Sequence, residues 1–191
     1  MTASKIILPL LILFILLSAC GNTYEGDFSY DVKKFTFTNQ NGETISKEDM
    51  AGKFWIADFI FTNCTTVCPP MTSNMVYLQG KLKKAGLEDV QLLSFSIDPK
   101  RDTHEKMKTY VKNRGGTLDN WHLFTGYEFE KIKEFSIKSF KAPVDKIADS
   151  DQFIHSTGFY LVSPEGNAIK QYNGNDKSEM KKIVQDIKDM S

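Results

Sequence analysis

The feature that most constrains the fold is an apolar segment, residues 53–63, that leads directly into a pair of cysteines. It reads "KFWIADFIFTN", a nearly continuous run of apolar, β-branched and aromatic residues. Such a run is typical of a strand that is buried on both faces. Cys64 and Cys68 follow in a loop, and two prolines then open a helix that extends to about Ala85.

The rest of the chain alternates strand patterns with helix patterns. The alternating residues of "KFTFTNQNGETIS" predict two short strands around a turn, and "TGFYLVSPEGNAIKQYNG" predicts two longer ones. The predicted buried strands "VQLLSFSID" and "WHLFTG" are each followed by a helix pattern, and a final helix closes the chain. This alternation predicts an α/β fold with a central mixed sheet flanked by helices. Residues 141–154 are expected to form a polar hairpin inserted before the strand that His155 precedes.

The N-terminus predicts export from the cytoplasm. It contains one lysine, an apolar run from Ile6 to Leu17, and small residues before Cys20. The run is shorter than the ~20 residues of a membrane span, but it fits the apolar region of a signal peptide. The sequence "LLSAC" followed by glycine resembles the lipobox of bacterial lipoproteins, which implies cleavage before Cys20 and lipid attachment to its sulfur. In the alternative interpretation the segment is an uncleaved anchor and Cys20 has no role.

These patterns divide the chain into a signal peptide (1–19), a lipid-anchored polar tether (20–32) and a domain (33–191). The domain is therefore expected on the extracytoplasmic side of the cell membrane. The full chain has 24 basic and 24 acidic residues, and removal of the signal peptide deletes only one of them, Lys5, which leaves a net charge of −1. This balance provides no basic surface for nucleic acid.

The cysteine pair has three interpretations: a structural disulfide, a redox-active dithiol or part of a metal site. A disulfide between Cys64 and Cys68 would close a very short loop, and such a bridge removes little entropy from the unfolded chain. The unpaired N–H groups and dipole of the following helix favour negative charge, and therefore thiolates. Thiolates attack disulfides and bind soft metals. A reactive dithiol and a metal site both remain as interpretations.

Four segments, taken in order along the chain, favour the metal-site interpretation. The first, "DFIFTNCTTVCPPMTSNM", resembles the C-x-x-x-C-P motif of the Sco/SenC family of copper proteins. The segments "SFSIDPKRDT", "WHLFTG" and "FIHSTGFYLVSPEGN" resemble further motifs of that family, in the same order. The resemblance implies a thioredoxin-like fold and a copper site formed by Cys64, Cys68 and His155. Two thiolates suit Cu(I), and the added imidazole also tolerates Cu(II).

The remaining candidates carry weaker signals. His104 and His122 are interpreted as surface and packing residues, respectively. Asp98 ends a predicted strand, where it either caps the following turn or tunes the copper site from a short distance. Asp149 and Asp151 either orient the second ring nitrogen of His155 or, more simply, are solvated charges of the predicted insertion.

The family resemblance implies a membrane-anchored copper chaperone that helps to metallate the dinuclear copper centre of cytochrome c oxidase. Its partner would be oxidase subunit II. The alternative function is a thiol–disulfide reductase, supplied by a thiol reductant, that keeps the oxidase's copper-site cysteines reduced. Whether the chain is an enzyme therefore stays open, and zinc is a second metal that two cysteines and a histidine can bind.

Overall fold

The computed structural model describes residues 24–191; the predicted signal peptide and Cys20 lie outside the described residues. A six-stranded mixed sheet forms the centre, with the strand order β1-β10-β9-β4-β5-β6. Two separate two-stranded sheets, β2–β3 and β7–β8, lie beside it. The strands are β1 (Tyr30–Asp31), β2 (Thr36–Thr38), β3 (Thr44–Ser46), β4 (Trp55–Ile60), β5 (Gln91–Ser96), β6 (Trp121–Phe124), β7 (Val144–Lys146), β8 (Phe153–His155), β9 (Gly158–Val162) and β10 (Asn167–Asn173).

Within residues 24–191, four α-helices accompany the sheet: α1 (Cys68–Lys84), α2 (His104–Lys112), α3 (Phe129–Phe140) and α4 (Glu179–Met190). The predicted α/β architecture is confirmed, because β4, β5 and β6 run parallel and are joined by α1 and α2. The C-terminal hairpin β9–β10 joins this parallel unit through an antiparallel pairing of β9 with β4. Every residue of β4 is buried, as the apolar run predicts.

The sheet register sets which residues share an end of the molecule. Trp55 of β4 pairs with Val162 of β9, Val162 with Ala168 of β10, and Ala168 with Tyr30 of β1. This row of residues marks one end of the sheet, which we call the Trp55 end. The C-terminal end of β4 lies at the opposite end, so the cysteine loop that follows it does too.

Two segments differ from the sequence-based expectation. Residues 24–32, predicted as part of a polar tether, pack on the domain: β1 joins the sheet and Val32 is fully buried. Apolar and charged side chains are interspersed in this segment, so its sequence pattern indicates a polar tether, although β1 pairs with β10. The predicted hairpin insertion is present as β7–β8, but His155 is the last residue of that hairpin and not part of the following strand.

Candidate metal centre

The cysteine loop places both thiols at the N-terminus of α1. Cys68 is the first residue of the helix, and its backbone N–H donates a hydrogen bond to the Sγ atom of Cys64 at 3.3 Å. The N-cap residue, Val67, makes no side-chain hydrogen bond, and the Cys64 sulfur is the side-chain acceptor for the first N–H of the helix. The loop geometry therefore puts the sulfur of Cys64 where the helix dipole favours a negative charge.

The two thiols differ in environment and in acidity. A side-chain hydrogen bond between the two thiols lowers the pKa of Cys64 to about 3; His155 and the backbone N–H of Cys68 add to this shift, and partial burial opposes it. Burial raises the pKa of Cys68 far above the ordinary thiol value, and the hydrogen bond to Cys64 adds to the shift. Cys64 is 7% exposed and Cys68 is fully buried. Cys64 is thus the thiolate that an incoming group meets first, and Cys68 is the protonated thiol behind it.

His155 brings its Nε2 atom to the cysteine pair. This nitrogen lies 3.3 Å from the Sγ atom of Cys68. The Nδ1 atom lies 2.8 Å from the carbonyl oxygen of Ser156, to which it donates its hydrogen. A ring whose Nδ1–H is held by a carbonyl keeps its lone pair on Nε2, the atom that would bind a metal.

The two sulfur atoms and the Nε2 atom form a compact donor set. All three lie within 4.8 Å of one another, and both cysteines are free thiols. Three ligands around one ion, with metal–sulfur and metal–nitrogen bonds of about 2.3 and 2.0 Å, lie about 3.5–4 Å from one another. Small movements of these side chains would therefore let the three groups share one ion.

An aromatic wall covers one side of this donor set. The ring centroid of Phe61 lies 5.9 Å from that of His155 and 5.2 Å from that of Phe153. Phe153 in turn contacts Phe129 of α3, with 5.6 Å between the centroids. These contacts hold β8 against the body of the domain and limit the access of water to the imidazole on that side.

The structure places Asp98 beside the site without joining it. Its backbone carbonyl accepts hydrogen bonds from the N–H groups of Arg101 and Asp102 at 3.0 and 2.9 Å, and its carboxylate lies 3.4 Å from the guanidinium of Arg101. In the described part of the chain, none of its hydrogen bonds reaches a thiol or the imidazole. This geometry favours the turn-capping interpretation; a direct effect of Asp98 on a bound metal stays a prediction.

The other two histidines and the hairpin acids are occupied elsewhere. His104 lies 3.1 Å from the carbonyl of Thr38, and His122 sits between Asn39 and Gln91 at 3.3 and 3.2 Å. Asp151 forms an ion pair with Arg101. Asp149 and Asp151 do not orient the second nitrogen of His155, because Ser156 already accepts its hydrogen.

Sequence reasoning missed Asp102, which fastens the start of the cysteine loop. One carboxylate oxygen accepts the hydroxyl of Thr62 at 2.5 Å, and the other accepts the hydroxyl of Ser96 at 2.6 Å. The backbone N–H of Thr62 adds a contact of 3.2 Å. Asp102 thereby connects the end of β5 to the residue two positions before Cys64. The signal was the last aspartate of "SFSIDPKRDT", a motif residue to which no role was assigned.

Asp58 is the second missed residue, and its signal was an acid in the middle of an apolar strand. It is fully buried in β4, where it accepts the hydroxyl of Ser94 at 2.5 Å, and Ser94 accepts the indole N–H of Trp121 at 2.9 Å. Its second oxygen has no hydrogen-bond partner among the described residues. Burial raises the pKa of Asp58 to about 7, against the opposing effects of Ser94 and His155.

Comparison with known proteins places this site in a family. The SCO1/SenC family model matches residues 26–191. The chain is 45% identical to the SCO1 protein homolog of Bacillus subtilis (strain 168) over 181 residues, which cover 94% of this chain and 93% of that protein.

Solved structures agree with this assignment. A SCO1/SenC family lipoprotein from Bacillus anthracis superposes with a TM-score of 0.80 at 43% identity, over 84% of this chain and 95% of the other. BsSco, described as a member of the Sco family of cytochrome c oxidase assembly proteins, gives 0.79 at 44% identity, over 88% and 98%. Arabidopsis thaliana ScoI with copper bound gives 0.70 at 28% identity, over 82% and 98%. The predicted thioredoxin-like fold is confirmed, and the chain belongs to the SCO1/SenC family.

Proposed function

We propose that this chain is a membrane-anchored copper-binding protein that supplies copper to the dinuclear centre of cytochrome c oxidase. The observation that carries the proposal is the donor set of Cys64 Sγ, Cys68 Sγ and His155 Nε2, whose atoms lie within 4.8 Å of one another. Support also comes from the family, in which one relative is described as an oxidase assembly protein and another as copper-bound.

The chemistry of the donors fits copper as the cargo. Two sulfur donors suit Cu(I), and the imidazole makes Cu(II) acceptable as well, so one site can take up either oxidation state. Cys64 offers a thiolate at neutral pH because its pKa is lowered. Cys68 has to release its proton when it binds the metal, and the adjacent Nε2 of His155, 3.3 Å away, is positioned to pass that proton on to solvent; Nε2 must be free of the proton before it binds the metal itself.

Release to a partner requires a site that is open on one side. Cys64, which is 7% exposed, and the half-buried His155 lie nearer to solvent, whereas Cys68 is enclosed. Cysteines of an acceptor protein can therefore approach the cargo beside Cys64 and displace the ligands one at a time. The acceptor that we propose is subunit II of the oxidase, reached from the extracytoplasmic side of the membrane by a domain that is lipidated at Cys20.

A thiol–disulfide reductase is the second candidate, favoured by the unequal acidity of the two thiols. The Cys64 thiolate would attack a disulfide of the partner, forming a mixed disulfide and releasing one partner thiolate. Cys68, after loss of its proton, would then attack the Cys64 sulfur, release the second partner thiolate and leave a Cys64–Cys68 disulfide. A thiol reductant would have to supply two electrons to restore the dithiol.

A complementation experiment separates the two candidates. In a bacterium that lacks its own family member, oxidase activity would be measured with the wild-type chain, His155→Ala and Cys64→Ser. Copper supply requires all three ligands, so both variants should fail at limiting copper. If His155→Ala restored activity as well as the wild type while Cys64→Ser did not, the reductase would be the function and copper supply would be rejected.

A further inference from the structure

The first described residues attach the N-terminal segment to the Trp55 end of the sheet. The ring of Tyr24 packs edge-on against that of Phe54, the residue before β4, with 5.1 Å between the centroids. The N–H of Phe28 donates to the carbonyl of Ile169 at 3.3 Å. Gly26 lies so close to the same strand that an added Cβ atom would come within 2.3 Å of the Ile169 oxygen. The segment is therefore packed on the domain from its first described residue.

The candidate metal centre lies at the other end of the sheet. The cysteine loop follows the last residue of β4, Ile60, and His155 precedes the first residue of the antiparallel strand β9. The six residues of β4 span about 17 Å at ~3.3 Å per residue. The packed N-terminal segment and the thiols are thus separated by the length of the central strands.

The chain that joins Cys20 to Tyr24 is short. Only residues 21–23 lie between them. Four Cα-to-Cα steps span at most about 14 Å in a fully extended chain. A lipid on Cys20 therefore places Tyr24 within about 14 Å of the attachment point, whatever path those residues take.

We propose that the Trp55 end of the sheet rests on the bilayer surface and that the Cys64–Cys68–His155 site points away from the membrane. This inference rests on the lipidation of Cys20 in the proposed function. The shortness of the linker carries it: a domain thicker than the linker's reach cannot turn its opposite end toward the lipid. The copper site of the acceptor must then meet this protein at a distance from the membrane surface that equals the thickness of the domain.

Charge contributes little to this orientation. Three lysines near the N-terminal segment are paired with acids: Lys33 and Lys47 contact the carboxylate of Asp31 at 3.0 and 2.9 Å, and Lys34 lies 3.8 Å from Glu48. Two more have neutral partners: the Nζ atom of Lys141 lies over the ring of Tyr30 at 5.5 Å, and that of Lys53 lies 3.4 Å from the carbonyl oxygen of Asp49. The lipid anchor therefore holds the Trp55 end against the bilayer surface, without a specific contact to an anionic headgroup. The orientation should be the same in neutral and in anionic vesicles.

The two tryptophans provide the test. Trp55 and Trp121 are the only tryptophans in the chain. Trp55 pairs with Gln91 of β5, and Trp121 pairs with the next residue of β5, Leu92, so both tryptophans lie near the Trp55 end. The full lipidated chain would be reconstituted in phosphatidylcholine vesicles that carry a dansyl headgroup. Energy transfer from tryptophan to dansyl would be compared with that of a variant with ten Gly/Ser residues inserted between residues 23 and 24. A flexible linker of this length adds about 17 Å of root-mean-square reach.

The expected result is efficient transfer in the native chain, at least a twofold loss on insertion, and no change when anionic lipid is added. Equal transfer in the native and inserted chains would overturn the orientation. Mass analysis of Cys20 and recovery in the membrane fraction, with Cys20→Ser as the control, separate the two failures. A chain without lipid rejects the anchor and the orientation together, whereas a lipidated chain with equal transfer rejects the orientation alone.

Discussion

Single residues outside the donor set determine how the cysteine loop begins. Asp102 accepts hydrogen bonds from Thr62 and from Ser96, so one carboxylate fixes the loop to the neighbouring strand. Hydrogen bonds to a charged group contribute about 1.5–3 kcal/mol, and those left unmatched in a buried site cost a similar amount. The position of Cys64 relative to His155 therefore depends on a residue that touches neither of them.

We predict that Asp102→Ala lowers the free energy of unfolding by about 2–4 kcal/mol and weakens Cu(II) binding about tenfold or more. Thr62→Val, which keeps the shape and removes one hydroxyl, should have a smaller effect of the same kind. Because the two residues share a hydrogen bond, their effects should fall short of additivity by about 1 kcal/mol or more in urea unfolding of the double variant. Additive effects would show that Asp102 acts elsewhere.

Asp58 gives the stability of the domain a specific dependence on pH. Its pKa is raised from 3.8 to about 7 on folding, so the folded state holds a proton that the unfolded state releases. The stabilising contribution is complete below pH 3.8 and is lost as the pH rises to about 7.

Asp58→Asn should remove this dependence. We predict that the variant gains stability relative to the wild type between pH 4 and 8, by up to about 4 kcal/mol. The comparison of urea unfolding at these two pH values cancels every group that titrates alike in both proteins. A constant difference between them across this range would mean that Asp58 does not titrate there.

At the level of elements, the hairpin β7–β8 is the part that carries the imidazole to the thiols. Its two faces differ: Phe153 packs against Phe61 and Phe129, whereas the neighbouring Ile154 is 61% exposed. The amide of Gln152 also donates to the carbonyl of Asn63 in the cysteine loop, at 3.1 Å. Phe153 and Gln152 therefore attach the hairpin to the site, whereas Ile154 does not contribute.

Adjacent residues of β8 should accordingly respond differently to truncation. Phe153→Ala releases the hairpin, and we predict a loss of Cu(II) affinity of about tenfold or more, with the rate of reaction of Cys64 with a thiol reagent changed by less than about twofold. Ile154→Ala is the matched control and should leave both quantities unchanged. A similar loss of affinity in the two variants would contradict the role of the aromatic contacts.

The elements that sequence alone predicted are those with a strong pattern. Most of the sheet and its helices could be predicted from three patterns: the apolar run of β4, the prolines at the start of α1, and the turn between β9 and β10. The segment 24–32 escaped prediction because its apolar residues are interspersed with glycine, serine and acids, and they become buried only when β1 pairs with β10.

At the scale of the whole molecule, the site combines parts that are far apart in the sequence. The cysteine pair could be recognised from its spacing and from the helix that follows it. His155 lies 87 residues after Cys68, and only the family motifs distinguished it from the other two histidines. Asp58 and Asp102 could not be assigned roles in advance, because buried hydrogen bonds between distant strands leave no periodic pattern in the sequence.

The measurement that tests the account most directly is a Cu(II) titration of the reduced domain, residues 24–191, followed by visible absorption and EPR. Three proteins would be compared: the wild type, His155→Ala, and His104→Ala as the control. We predict one equivalent bound by the wild type with intense thiolate-to-copper charge-transfer absorption. The affinity should fall by more than about a hundredfold in His155→Ala and stay unchanged in His104→Ala. Undiminished binding in His155→Ala, or rapid oxidation of the wild type to a Cys64–Cys68 disulfide without a stable complex, would contradict the three-ligand copper site.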